Sequence, residues 1–278
     1  MTIAEWTTQT TTALSNRGVD TARLDTEVLL ADAMQKDRSW LHAHADSVIP
    51  DDMLGTLRQQ ITRRGDHEPL AYIRGVQEFY GREFLVSSDT LTPRPETEST
   101  VQLALDSGLL TDDRIIVDIG TGSGCIIITL ALEAGHSPDT KAHKYIGLDI
   151  SAPALSIARK NAQKLNAPVE FKEFDMIHDD LRTISDPKST IYLANLPYVP
   201  AGHTINSAAK NEPSMAIFGG KDGLDYYRHL FDELESEHCT VITESLQHQH
   251  QALDLIALAH GFNRIDTSGL CTLYSNRS

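Results

Sequence analysis

Apolar side chains recur at helical spacing through the N-terminal part of the chain. One stripe comprises Leu24, Val28, Leu30, Ala31 and Met34, and a second comprises Leu54, Leu57 and Ile61. Pro50-Asp51-Asp52 stands ahead of the second stripe and suits a helix start, because acidic side chains stabilise the positive end of the helix dipole. The pattern predicts a small helical bundle, to which we assign residues 1–76.

The pattern changes after this bundle, where aromatic and β-branched residues surround Gly81. This run predicts a short β-hairpin. Pro93 and Pro95 follow and impose an extended backbone, after which a helix is expected to open a second domain. Residues 77–95 are therefore predicted to link the helical domain to a domain at 96–278.

Short apolar runs alternate with amphipathic segments over the rest of the chain. The apolar runs that predict strands are 115–117, 145–148, 169–174, 191–193 and 241–243. The segments that predict helices are 124–134, a segment beginning after Ser151, 226–234 and 251–259. Such alternation is typical of an α/β protein with a doubly wound, mainly parallel sheet of Rossmann-like type and helices on both faces.

The most specific motif is a glycine-rich loop between the first of these strands and the helix that follows. It reads Asp118-Ile119-Gly120-Thr121-Gly122-Ser123-Gly124. Glycines let the backbone turn sharply and approach a ligand closely, and the helix N-terminus offers free N–H groups to a carboxylate. Cys125 takes the place of the third glycine of a dinucleotide site, and the sequence lacks the Gly-Lys-Ser/Thr of a nucleotide P-loop. The form D-x-G-x-G-x-G instead resembles the first motif of class I S-adenosylmethionine-dependent methyltransferases.

This resemblance implies S-adenosyl-L-methionine as the cofactor. The loop residues assigned to it are Asp118, Gly120, Thr121, Gly122, Ser123 and Gly124. Asp149 ends the second strand, where a carboxylate can accept two hydrogen bonds from a ribose diol. Asp175 and Met176 end the third strand, where members of the class hold the adenine. A lone aspartate is more often a helix cap or a solvated loop residue, but acids at three successive strand ends favour a cofactor site.

A second motif, Asn195-Leu196-Pro197-Tyr198, stands at the end of the fourth strand. It resembles the (N/D)-P-P-(Y/F) motif of methyltransferases that act on planar nitrogens. The Asn195 side-chain oxygen and the Leu196 carbonyl can each accept an N–H of an amide, which localises the nitrogen lone pair and aims it at the methyl group. Tyr198 can stack on the planar group. These four residues are the predicted catalytic set, and Asn195 is also assigned to the cofactor site.

Leu196 departs from that motif, because a proline is usual at its position. The Asn-Leu-Pro-Tyr form is also similar to the rRNA adenine dimethyltransferases. Asn and Pro are, in addition, common residues of ordinary turns. The tetrapeptide therefore leaves the methyl acceptor open.

Resemblance over most of the chain narrows the acceptor. The blocks that carry it are Ala22-Arg23-Leu24-Asp25, Glu27-Val28-Leu29-Leu30, Pro69-Leu70-Ala71-Tyr72-Ile73-Arg74-Gly75, Glu78-Phe79-Tyr80-Gly81, Thr92-Pro93-Arg94-Pro95-Glu96-Thr97-Glu98, Glu212-Pro213 and Gly219-Gly220-Lys221-Asp222-Gly223-Leu224. With these blocks the chain resembles the release-factor glutamine N5-methyltransferases. The resemblance implies that the acceptor is the side-chain amide nitrogen (N5) of the glutamine in the Gly-Gly-Gln motif of peptide chain release factors.

Two regions leave this interpretation open in part. The resemblance implies that the N-terminal helices grip the release factor, whereas their composition fits a structural cap on the sheet equally well. Ser245-Leu246 follows Glu244 where the family usually has a glycine two residues after the glutamate. A catalytically weakened cofactor-binding module is therefore one alternative, and an adenine N6-methyltransferase acting on DNA or RNA is the other.

Composition limits these alternatives. The chain has 24 basic against 39 acidic residues and a formal net charge of -15, which argues against broad nucleic-acid binding. Three separated cysteines and the pairs His42/His44 and His248/His250 lack partners at ligand spacing, so neither a disulfide nor a metal site is expected.

Signals for targeting are missing from the sequence as well. The N-terminus has no signal-peptide pattern, and the most apolar stretch is too broken to span a bilayer. We therefore expect a cytoplasmic protein without membrane contact. As a separate expectation, which no sequence feature carries, the protein is assigned as a monomer. Phe79 and Tyr80 either line the cofactor pocket, as the resemblance implies, or are core aromatic residues.

Overall fold

The computed structural model describes residues 1–110, 114–134, 144–235 and 237–276. The chain divides into two compact units. The helical unit comprises Met1–Gly75 with Ile205–Asn211, and the sheet unit comprises Val76–Thr204 with Glu212–Ser278.

The helical unit is built from five helices. They are α1 (Ile3–Ser15), α2 (Ala22–Met34), α3 (Arg38–Ala43), α4 (Asp51–Gly65) and α5 (Leu70–Arg74). Thr2 and Glu5 form a capping box at the start of α1, because each side chain accepts a hydrogen bond from the other residue's backbone N–H, at 3.2 and 2.9 Å. Leu29, Leu30 and Leu57 are fully buried between the helices. The predicted bundle of helices is confirmed for these residues.

The stripe predicted for α2 is wrong at its first member. Leu24 is 43% exposed, whereas its neighbour Asp25 is 3% exposed. The Asp25 carboxylate is buried because it pairs with the Arg64 guanidinium at 2.6 Å, and Glu27 is likewise buried beside Arg38 at 2.7 Å. Ion pairing therefore brings charged side chains to the inner face, which a search for apolar periodicity alone does not detect.

The sheet unit begins with the predicted hairpin, formed by β1 (Val76–Phe79) and β2 (Arg82–Leu85). Tyr80 and Gly81 make its two-residue turn with φ angles of 52° and 69°. Positive φ at both positions is typical of a type I′ turn, whose twist matches that of the paired strands.

Seven further strands in the described part of the chain form one sheet. They are β3 (Ile115–Ile119), β4 (Lys144–Asp149), β5 (Val169–Glu173), β6 (Thr190–Ala194), β7 (Thr240–Glu244), β8 (Asn263–Ser268) and β9 (Cys271–Ser275). Their order is β5-β4-β3-β6-β7-β9-β8. The first five are parallel, β9 runs antiparallel to β7, and β8 pairs antiparallel to β9 at the edge.

In the described residues of this unit, five α-helices accompany the sheet. They are α6 (Glu98–Asp106), α7 (Cys125–Ala134), α8 (Ala152–Leu165), α9 (Asp225–Glu233) and α10 (His250–Ala259). Buried residues divide between two apolar clusters, with Val117 of β3 in one and its neighbour Ile116 in the other, as expected for a sheet covered on both faces. The predicted doubly wound, mainly parallel sheet is confirmed. No helix in the described ranges is long and apolar enough to cross a membrane.

Strand order decides where a ligand can bind. The chain moves outward from β3 through β4 to β5 and then returns to place β6 on the other side of β3. At such a reversal the loops that leave neighbouring strands diverge and open a crevice at the carboxyl ends of the strands.

Candidate active site

A cavity of about 510 Å³ opens at this crevice in the sheet unit. Its lining comes from the residues that follow β3, β4, β5 and β6, together with residues 88–91 and Pro213, Met215, Ala216 and Tyr226. Among the predicted site residues, the cavity brings together Gly120, Gly122, Asp149, Asp175, Met176, Asn195, Leu196 and Pro197.

The glycine loop curves around one side of the cavity. Gly120, Gly122 and Gly124 have φ angles of 74°, 54° and 81°, which side chains with a Cβ rarely adopt. A Cβ on Gly124 would in addition lie 3.3 Å from the Cβ of Ala158 on α8. Backbone conformation therefore favours glycine at all three positions, and close packing in addition requires it at Gly124.

The other loop residues make contacts within the protein. The Thr121 backbone N–H donates to the Leu148 carbonyl at 2.8 Å, and the Ser123 carbonyl accepts from Nδ2 of Asn161 at 2.9 Å. The hydroxyl of Thr121 donates to Oδ2 of Asp118 at 2.6 Å. Thr121 and Ser123 thus support the loop from behind, while Gly120 and Gly122 line the cavity.

Asp118 is 1% exposed at the end of β3. Burial raises the pKa of its carboxyl to about 7, the Thr121 hydrogen bond opposes the rise, and the nearby Asp149 charge adds to it. Asp118 supports the loop through Thr121, and its predicted cofactor role stays a prediction.

Asp149 lines the cavity and also holds the glycine loop. Its Oδ2 accepts from the Gly122 backbone N–H at 2.8 Å, and its Oδ1 accepts from the Ser151 N–H at 2.9 Å. Burial raises the pKa of this carboxyl, and the two backbone donors oppose that rise. Each oxygen keeps a second lone pair, so the carboxylate can still accept hydrogen bonds from a ligand diol.

Asp175 and Met176 line the cavity just beyond β5. Oδ1 of Asp175 accepts from the Ile177 N–H at 3.0 Å, which fixes the turn, and Met176 is buried. Together with the half-exposed Ile150 and Ile177, they provide apolar surface beside carboxylates. This set of groups fits S-adenosylmethionine. The carboxylates can hold a sugar diol, the apolar side chains can hold a planar base, and the glycine loop leaves room for a ligand.

Asn195, Leu196 and Pro197 also line the cavity. Nδ2 of Asn195 donates to Oγ1 of Thr97 at 3.2 Å. The Leu196 side chain is buried, lies 3.6 Å from the position of a Cβ on Gly120, and so fills the space between the two motifs. The Tyr227 hydroxyl lies within hydrogen-bonding distance of the Glu244 carbonyl and, at 3.4 Å, of the Leu196 carbonyl.

Tyr198 has a partner inside the protein. Its hydroxyl donates to Oε1 of Glu244 at 3.0 Å, and its backbone carbonyl accepts from Nε2 of Gln249 at 2.8 Å. These bonds anchor the ring next to Pro197, and the stacking role of Tyr198 stays a prediction. Glu244 itself is 1% exposed, and burial raises the pKa of its carboxyl.

A second glycine-rich segment, residues 219–224, packs closely against the backbone of the motif 195–198. A Cβ on Gly219 would lie 2.1 Å from the Pro197 carbonyl oxygen, and one on Gly223 would lie 2.0 Å from that of Tyr198. The backbone N–H of Val199 also donates to the Ile217 carbonyl at 2.9 Å. Only glycine allows these backbones to approach so closely, which explains Gly219 and Gly223 of the block 219–224.

Two residues next to Asn195, Thr97 and Glu244, are not predicted as site residues by the sequence motifs. Thr97 lies in a proline-rich block, and Glu244 precedes the residues at which the chain departs from the family. The packing of β6, β7 and the turn before α6 places both side chains next to Asn195. Thr97 is 98 positions away from Asn195 along the chain. One sequence feature marks Glu244 as a candidate site residue, namely its position at the carboxyl end of a predicted parallel strand.

Phe79 and Tyr80, for which the sequence leaves two interpretations, lie in the core and beside it. Phe79 is 1% exposed and belongs to the apolar cluster that contains Ile127 of α7. The Tyr80 hydroxyl donates to Oε1 of Gln102 at 2.9 Å. These contacts favour the reading of both as structural aromatic residues.

Ligand atoms of Asp232, Glu235 and His260 lie within 4.8 Å of one another, and this is the one such group in the described part of the chain. Both acids are exposed, and such groups are common on protein surfaces without an ion. The histidines of the pair His42/His44 contact other groups, since His42 lies 3.5 Å from Glu27 and His44 stacks on Trp40 at 4.1 Å.

The sheet order, the glycine loop and the strand-end acids around one cavity define a Rossmann-like methyltransferase, a class whose methyl donor is S-adenosylmethionine. Residues 5–75 match the model of the PrmC N-terminal domain, and residues 110–206 match that of a methyltransferase domain. The release factor glutamine methyltransferase of Geobacter sulfurreducens is 34% identical over 218 residues, which are 77% of this chain and 72% of that protein. The protein of the same name from Koribacter versatilis is 37% identical over 212 residues, or 75% and 72% of the two chains. The chain belongs to the release factor glutamine methyltransferase family.

Solved structures are similar at lower identity. The 16S rRNA N2 G1207 methyltransferase of T. thermophilus aligns with a TM-score of 0.48 and 12% identity over 73% of this chain and 50% of its own. The ribosomal protein L11 methylase of Lactobacillus delbrueckii aligns with a TM-score of 0.44 and 15% identity over 73% and 89%.

Proposed function

We propose that this protein transfers a methyl group from S-adenosylmethionine to the N5 amide nitrogen of the glutamine in the Gly-Gly-Gln motif of peptide chain release factors. The observation that carries the proposal is that Asn195 and Leu196 line the same cavity as Gly120, Gly122 and Asp149. An amide-orienting motif and a cofactor loop therefore face one space. The names of the relatives, release factor glutamine methyltransferase, support the choice of acceptor.

The chain's own residues orient both partners of the reaction. S-adenosylmethionine, when bound, supplies a methyl group on a positively charged sulfur. Asp149 and the glycine loop would hold its ribose and main body on one side of the cavity. The Asn195 side-chain oxygen and the Leu196 carbonyl would accept the two N–H bonds of the glutamine amide, which directs the nitrogen lone pair into the cavity.

Leu196 is compatible with this role despite its departure from the usual proline. The group that acts on the acceptor is its backbone carbonyl, which every residue has. Burial of the Leu196 side chain and the Tyr227 hydroxyl near its carbonyl restrain the loop in place of a proline ring. The motif therefore retains its acceptor geometry with a different means of support.

The proposal extends to partner and compartment. The helical unit would contribute recognition of the release factor, and the protein would act in the cytoplasm, where release factors work. We further propose that it acts as a monomer.

The test is methyl transfer from labelled S-adenosylmethionine to a purified release factor. A matched release factor whose Gly-Gly-Gln glutamine is changed to alanine serves as the control. We expect label on the first and none on the second. Label on both would reject the glutamine as acceptor, label on DNA or RNA alone would indicate an adenine methyltransferase, and cofactor binding without transfer would indicate an inactive module.

A further inference from the structure

Thr97 and Glu244 lie next to the side-chain amide of Asn195, and neither is among the described residues that line the cavity. Nδ2 of Asn195 donates to Oγ1 of Thr97 at 3.2 Å, and both Thr97 and Glu244 are buried. We propose, on the premise of the function proposed above, that Thr97 and Glu244 are positioning residues that determine which end of the Asn195 amide faces the acceptor.

An asparagine amide can occupy its site in two orientations, because its oxygen and nitrogen ends are nearly equal in size. The amide nitrogen of a glutamine substrate offers two N–H donors. The oxygen end of Asn195 can accept one of them, whereas the nitrogen end would set donor against donor. Catalysis by this motif therefore requires a device that selects one orientation.

Glu244 supplies the direction of the hydrogen bonds. An ionised carboxylate can only accept, so a Thr97 hydroxyl next to it donates its proton towards Glu244. The lone pairs of Oγ1 then face Asn195 and accept from its Nδ2. Burial raises the pKa of Glu244, whereas hydrogen bonding from Thr97, Tyr198 and Asn195 opposes the rise, as expected for donors arranged around the carboxylate.

These hydrogen bonds would give the side-chain amide of Asn195 one fixed orientation. The oxygen and nitrogen of an amide lie on opposite sides of Cγ, so anchoring Nδ2 on Thr97 turns Oδ1 away from Thr97. Asn195 itself lines the cavity. Thr97 and Glu244 thus act on the substrate only through Asn195.

The test compares T97V, which removes the hydroxyl at nearly constant volume, with T97S, which restores it. T240V is the matched control, since Thr240 is fully buried at the other end of β7 and none of the described groups hydrogen-bonds its Oγ1. For each variant, kcat and KM for the release factor and Kd for S-adenosylmethionine are measured. Exchange of the Asn195 side-chain amide protons with water is followed by NMR on asparagine-labelled protein.

We expect T97V to lower kcat 10- to 100-fold while both the KM and the cofactor Kd stay within threefold of wild type. T97S should recover at least half of the wild-type kcat, and T240V should match wild type. Amide exchange of Asn195 should rise at least tenfold in T97V alone. A T97V enzyme with wild-type kcat, or a T97S enzyme as slow as T97V, would overturn the proposal.

A double substitution gives an independent check. N195D places a second carboxylate beside Glu244, and N195D/E244Q relieves the repulsion while it restores a donor–acceptor pair. We expect the double variant to be at least fivefold faster than N195D, and no gain would count against the coupling. If wild type fails to methylate the release factor, the proposed function is rejected, and the NMR comparison of T97V with T97S still decides the positioning of Asn195.

Discussion

The backbone N–H of Gly122 donates a hydrogen bond to Oδ2 of Asp149 at 2.8 Å. The acid that ends β4 therefore also sets the position of the glycine loop that follows β3. Since Ser151 donates to the other carboxylate oxygen, the group cannot rotate without losing one of these bonds. Cofactor recognition and loop conformation consequently depend on the same side chain.

D149N should weaken binding of S-adenosylmethionine by about 1.5–3 kcal/mol, or roughly 10- to 100-fold. The new NH2 group faces a backbone N–H and cannot accept its hydrogen bond. Calorimetric titration measures the change. D266N is the control, because Asp266 is an exposed acid on the edge strand β8. Equal affinity of D149N and D266N would show that Asp149 does not hold the cofactor.

G223A should destabilise the protein much more than G261A. Both glycines have φ of 83°, so the cost of the backbone conformation is shared. A Cβ on Gly223 would lie 2.0 Å from the Tyr198 carbonyl oxygen, whereas one on Gly261 would have no described atom within 4 Å. We expect the free energy of unfolding of G223A to be lower than that of G261A by at least about 2 kcal/mol, measured with urea. Equal values would refute the close approach of this segment to the acceptor motif.

D118N should change how stability depends on pH. The pKa of the buried Asp118 carboxyl is raised to about 7, so the folded protein binds this proton more tightly than the unfolded chain does. Its contribution to stability is then fully present below about pH 4 and is lost as the pH rises towards 7. D118N cannot ionise, so its free energy of unfolding relative to wild type should increase over this range, by up to about 4 kcal/mol. A constant difference from pH 4 to 7 would contradict the raised pKa.

N195A should separate binding from turnover. Asn195 is assigned to orient the acceptor amide, and removal of such a preorganised group costs about 100- to 1000-fold in kcat. We expect that loss of methyl transfer to a release factor, with cofactor affinity within threefold of wild type. N263A, at the exposed start of β8, controls for loss of an asparagine elsewhere. Normal turnover of N195A would remove it from the catalytic set.

Local patterns predicted the elements with good accuracy and the packing of side chains less well. Gly124 was expected to begin a helix, and α7 begins one residue later, at Cys125. The stripe in α2 failed at Leu24, because the burial of Asp25 depends on Arg64, 39 positions further along the chain. Periodicity reports the average environment of a position, whereas ion pairing depends on a partner brought from elsewhere.

Sequence patterns are sufficient to predict the class of fold, the sharp turns of the glycine loop and the position of the acceptor motif at a strand end. These features depend on local physics, since alternation of apolar runs selects strands and helices, and positive φ selects glycine. The strand order, the support of Gly122 by Asp149 and the grouping of Thr97 and Glu244 around Asn195 become visible only in the folded chain. Those relationships join residues far apart in the chain, and they exist because the sheet and its helices pack to bury apolar surface and satisfy buried polar groups together.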